Sequence, residues 1–125
     1  MGIQNKLDIK VDYTYVEEVF ESQGEYKHFL QIMCFEFEEA IDKLVLSIEK
    51  QDIHSYRKTL HNVIPHLDML RAYELSQFLE QLKPSVGNPV ITQVEKEEMV
   101  TNLRLNFEKV VRQVKNKCEQ ISTSS

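Results

Sequence analysis

Apolar residues recur along most of this chain at three- and four-residue spacing, the pattern of helices with one buried side. Thr14 followed by Glu17 has the spacing of a capping box and predicts a short helix with Val16, Val19 and Phe20 on one side, ended by a turn at Ser22–Gly24. A long helix is expected from about Glu25 to Lys50, with Phe29, Ile32, Met33, Phe37, Ala40, Ile41, Leu44 and Ile48 inward and Glu38, Glu39, Asp42 and Glu49 in solvent. Asp52 is a candidate N-cap for a third helix, with Ile53, Tyr56, Leu60, Val63, Leu67 and Leu70 facing the core. A fourth helix is expected from Arg71 to Lys83 with Leu75, Phe78, Leu79 and Leu82 inward, stopping there because proline disfavours helical geometry in the residue before it. Pro84–Ile91 reads as the one clear loop. Thr92 and Glu95 then form a second capping-box pattern, opening a last helix striped by Leu103, Phe107, Val110, Val114, Cys118 and Ile121.

Four sizeable helices with short connections predict an all-α protein: an antiparallel up-and-down four-helix bundle with a short extra N-terminal helix. The 125 residues, 42% of them hydrophobic, suffice for one compact core and not two. One domain is therefore expected over 1–125, with its packed part at about 14–121. No run is apolar enough to span a bilayer, and the charged, aromatic start lacks the features of an export signal, which together predict a cytoplasmic protein with no membrane contact. Cys34 and Cys118 form no CxxC or secreted-framework spacing and read as reduced packing thiols.

A net charge of −5 argues against nucleic-acid binding, which needs a clustered surplus of cations. Its distribution changes the picture. Between Ile53 and Leu67 there are two basic residues and no acidic one, and three of the four histidines, His54, His61 and His66, fall in that window. A locally positive patch on an acidic chain favours an anionic partner surface.

At 100° per residue, His61 points roughly 140° away from the apolar direction of the third helix, among His54, Arg57, Lys58, Pro65 and Asp68. A water-facing imidazole offers a ring nitrogen that accepts a phosphoryl group covalently. Arg57 and Lys58 are candidates to attract that phosphate. The bland alternative for each is an unremarkable solvated side chain. Spacings of seven and five between His54, His61 and His66 do not stack ligands on consecutive turns, so no metal site is expected. Glu38 and Glu39 diverge on the helix and cannot straddle a substrate. Neither a nucleophile elbow nor a phosphate-cradling glycine loop is present.

The run LHNVIPHLDMLRAYELSQFLEQL resembles the histidine-containing phosphotransfer (HPt) domain of multistep phosphorelays. That family's pattern is close to H-x-L-K-G/P, with a glycine ten residues after the histidine and a leucine fourteen after it. The resemblance places His61 at the phospho-accepting position, Val63 at the apolar one, Pro65 in the small-residue slot and Leu75 at the leucine, with Asp52 opening the helix nine residues earlier. Helix order extends the likeness from about Tyr15 to Ile121. Two positions depart from it: Ile64 stands at the family's lysine and Arg71 at its glycine. His66 occupies a slot where variants carry a small hydroxyl residue.

The resemblance implies a phosphotransfer carrier rather than an independent enzyme. His61 would take a phosphoryl group from a receiver-domain aspartate and pass it on, with Arg57, Lys58, Ile64, Pro65, Asp68, Arg71 and Ala72 near the phosphate or on the docking surface. Partners would be response-regulator receiver domains or a hybrid histidine kinase, and no cofactor is expected on this chain because the Mg²⁺ belongs to the receiver. The alternative is a helical module that binds a receiver or other signalling protein without transfer. Pro65 removes the N–H that would bond the His61 carbonyl, which predicts a bend at the site.

Overall fold

The structure is a computed structural model, and it describes residues 7–121. Among those residues every regular element is helical: α1 (Thr14–Val19), α2 (Gln23–Lys50), α3 (Ile53–Met69), α4 (Tyr73–Val86) and α5 (Gln93–Gln120). α2 packs against both α3 and α5, α3 packs against α4, and α4 touches α5 more sparsely. No helix among the described residues is long and apolar enough to cross a membrane.

The inward stripes of α4 and α5 are buried at every expected position, and on α3 Tyr56, Leu60, Val63, Leu67 and Leu70 are buried while Ile53 is half-buried. On α2 the expectation fails at its edge. Ile32 is exposed and Phe29 half-buried, whereas Tyr26, Leu30, Cys34 and Val45 join the core. Being packed on two sides, by α3 and α5, α2 buries a broad sector whose centre lies between those neighbours, and Ile32 falls outside it. Phe37 and Phe107 meet across the α2–α5 contact with ring centroids 5.8 Å apart and a tilted geometry. Tyr56 is fully buried on α3 and donates its hydroxyl to the Leu79 carbonyl at 2.7 Å, tying α3 to α4.

Several helix ends are where the caps put them. Asp52 accepts from the Ser55 N–H at 3.1 Å and opens α3. Thr92 and Glu95 form both halves of the capping box at the start of α5. The predicted box at Thr14 and Glu17 does not form: Thr14 is already helical, and its N–H goes to Asp12 Oδ1 at 2.9 Å. Instead Ser22 caps α2 through the Glu25 N–H, so that helix starts at Gln23, inside the expected turn.

α4 also differs from expectation. It begins at Tyr73 rather than Arg71 and runs through Pro84 to Val86, which shortens the loop to 87–92. Pro84 deprives only the carbonyl of Glu80, an exposed residue, of an N–H partner, while three further residues bring Val86 into the core. α3 likewise runs through Pro65 to Met69 as one helix.

Packed structure begins before Thr14. Residues 7–13 run extended along α5, with Ile9 buried and Leu7 and Val11 half-buried. The segment's backbone is bonded by side chains of α5: Leu7 N–H to Asn106 Oδ1 at 3.1 Å, Lys109 Nζ to the Leu7 carbonyl at 2.7 Å, and both arms of the Gln113 amide to Val11 N–H and the Ile9 carbonyl. Its far end reaches the α3–α4 turn, where Asp12 N–H bonds the Leu70 carbonyl at 2.9 Å.

Candidate functional site

α3 exposes one continuous strip because its core side is fixed by buried Tyr56, Leu60, Val63 and Leu67, and the strip is what the opposite side presents. His61 lies midway along the helix on that strip and is exposed. Arg57 and Lys58, one turn earlier, are exposed too, and they diverge: Arg57 borders the groove between α3 and α4 beside Glu80 and Lys83, while Lys58 borders the groove between α2 and α3 beside Lys43 and Lys50. Neither cation takes part in an ion pair among the described residues. His61 is thus flanked by one free positive charge on each side. A phosphoryl group on its ring would be within reach of long, flexible cations without a preformed cradle.

The other expected site residues divide into three groups. Pro65 is exposed one turn after His61, and Asp68 is exposed one turn further, where it accepts the Ser76 hydroxyl at 2.9 Å. That bond holds the Asp68 carboxylate against α4. Ile64, at the slot of the family's lysine, is half-buried against the core and contributes apolar surface only. Ala72 is fully buried at the N-cap of α4, which removes it from the docking surface; the helix it begins turns its side chain inward.

Arg71 carries the main surprise. It is exposed in the turn between α3 and α4 with φ 58°, a left-handed conformation that residues other than glycine adopt at a cost. The turn is closed by Arg71 N–H to the Asp68 carbonyl at 3.0 Å and Ala72 N–H to the Leu67 carbonyl at 2.9 Å. A glycine at this slot therefore has a backbone reason: only glycine takes that φ freely. Asp12 lies near the same turn, its carboxyl held below the usual range by its hydrogen bonds to Thr14 first and by the Arg71 charge to a smaller degree.

The other imidazoles are separated from His61. His54 is exposed on the first turn of α3. His66 is half-buried and turned toward α2, with Nδ1 2.9 Å from Glu36 Oε2. That nitrogen is shielded from solvent and lies off the line a ring N–H would need, so the contact is not a directed hydrogen bond. Among the described residues no group of three or more His, Cys, Asp or Glu side chains is arranged to hold a metal ion.

What the sequence reading missed around the site is its anchoring. The strap at 7–13 was not anticipated, although Leu7, Ile9, Val11 and Tyr13 alternate with Asp8, Lys10 and Asp12 at the period of two that marks an extended, half-buried segment. No family model matches the chain, and neither a curated protein nor a solved structure matches it.

Proposed function

We propose that this chain is a histidine phosphocarrier of the HPt type, an antiparallel up-and-down four-helix bundle preceded by one short helix. His61 receives a phosphoryl group from an aspartyl phosphate on a receiver domain and delivers it to another. The ring nitrogen attacks phosphorus, the N–P bond forms as the acyl P–O bond breaks, and the aspartate leaves as a carboxylate. Mg²⁺ and most of the charge stabilisation come from the receiver, so this chain need supply only an accessible imidazole, flanking cations and a surface to dock on.

The observation that carries this reading is the exposed imidazole of His61 midway along α3, with Arg57 and Lys58, which have no ion-pair partner among the described residues, on its two sides. The left-handed backbone at Arg71 supports the register of the resemblance, since it falls at the slot where the family pattern has glycine. The imidazole and its flanking cations all belong to α3.

The second reading, a module that binds a receiver without transfer, is favoured by one observation: half-buried Ile64 supplies no charge at the lysine slot. Incubation with receiver domains charged on their aspartate with labelled phosphate separates the two. Transfer gives acid-labile, alkali-stable label on the native chain and none on His61→Gln. Complex formation without label on either chain favours the binding module, and neither binding nor label with any receiver removes phosphotransfer and the receiver-binding form of the module, leaving only a module for another signalling protein.

A further inference from the structure

Cys34 and Cys118 lie 84 positions apart in the chain and on different helices, yet both are buried on the shared side of α2 and α5, at 7% and 6% exposure. The two helices run in opposite directions, since Glu38 meets Lys115 at 3.0 Å while the Glu49 carbonyl meets Lys96 Nζ at 3.3 Å. Glu38 is one turn beyond Cys34 and Lys115 one turn before Cys118, so the ion pair brings the two sulfurs to the same level. The two thiols are near enough for each to act on the other's ionisation. Neither is part of the strip that carries His61.

We propose that this pair is a redox-modification site, closing to an intramolecular disulfide that staples α2 to α5 when the protein meets a hydroperoxide. Burial is the main cause that raises both thiols, Cys34 to about 11. The thiolate of one cysteine attacks the peroxide oxygen, the O–O bond breaks, and the hydroperoxide is reduced to an alcohol (water, for hydrogen peroxide) as that cysteine becomes a sulfenic acid. The sulfur of the other cysteine then displaces water from it, its proton leaving with the hydroxyl, and the S–S bond forms. Two thiols are oxidised by two electrons and one peroxide is reduced by two.

Burial makes the reaction slow, paced by opening of the α2–α5 seam, and its product outlasts the pulse of oxidant. The link encloses α3 and α4 within its loop, so the unfolded chain loses most of its freedom and the folded protein melts at higher temperature. The α3 strip is untouched.

The experiment exposes the folded full-length chain to hydrogen peroxide and reads intact mass, a non-reducing peptide map and Tm, before and after dithiothreitol. The expected result is a monomer lighter by two hydrogens, a single linked peptide pair containing Cys34 and Cys118, and a Tm raised by several degrees that dithiothreitol returns to its starting value. Cys34→Ser and Cys118→Ser each abolish the linked peptide. Cys34→Ala, which keeps the site apolar, does the same and separates loss of chemistry from loss of folding. Disulfide-linked dimers, or sulfinic acid on either cysteine with no 34–118 link, would overturn the proposal. The outcome is independent of whether His61 carries phosphate.

Discussion

Across the α2–α5 seam the rim charges are paired, as Glu38 with Lys115 at 3.0 Å, and the interior is filled by Phe37, Phe107, Leu44 and Val110. Along the outward strip of α3, Arg57, Lys58 and His61 have no ion-pair partner among the described residues. The seam spends its side chains on neighbours within the chain; the strip leaves them free for something outside it. The turn at Arg71 extends the contrast, because a left-handed arginine is a local cost that the surrounding hydrogen bonds hold in place. On the proposed reading, stability and chemistry are carried by different parts of one small molecule.

The hardest test of that division is Phe107→Ala. Removing a fully buried ring from the seam should cost about 3–5 kcal/mol, read as a lowered urea midpoint. Tyr56→Phe is expected to cost about 1–2 kcal/mol, since it strips the Leu79 carbonyl of its buried donor where α3 meets α4. Equal losses from the two variants would erase the contrast between seam and site half.

Arg71→Gly should have the opposite sign. Relief of the left-handed backbone, less the freedom glycine adds to the unfolded chain, predicts a gain of roughly 0.5–1 kcal/mol by thermal or urea unfolding. A loss of stability would show that the Arg71 side chain outweighs the strain.

The smallest effect is with pH. Asp12, Asp52 and Glu95 are each held below their ordinary values of 3.8, 3.8 and 4.5, mainly by hydrogen bonds at helix starts. A carboxyl depressed by folding stabilises fully above its unfolded value and loses that contribution as pH falls through the lower folded one. The urea midpoint is therefore expected to be flat near neutrality and to decline as acid protonates the caps. Asp52→Asn, which still caps α3, should make that decline shallower.

The helices of the scaffold were legible because their stripes are periodic and strong. Leu103, Phe107, Val110 and Val114 on α5, and Leu75, Phe78, Leu79 and Leu82 on α4, are buried as their spacing requires. Ends were harder. The capping box expected at Thr14 is lost because Asp12 takes the Thr14 N–H and the Tyr13 carbonyl takes that of Glu17, a competition between neighbours that spacing does not rank. Ala72 reads as a neutral residue and only the three-residue turn after Met69 decides that it points inward. The side-chain clamps of Asn106, Lys109 and Gln113 on the strap, and the meeting of Cys34 with Cys118, span 84 or more positions and have no local signal. His61 was legible as an outward residue because the opposite side of its helix is so clearly apolar.

That residue decides the account. The direct measurement is site-resolved mass spectrometry of the native chain and of His61→Gln, each mixed with receiver domains charged on aspartate, beside their urea unfolding curves. One phosphoryl group on the peptide that contains His61, lost in His61→Gln with the unfolding midpoint unchanged, is the expected result. Phosphate on His54 or His66 instead, or label that persists in His61→Gln, would contradict it.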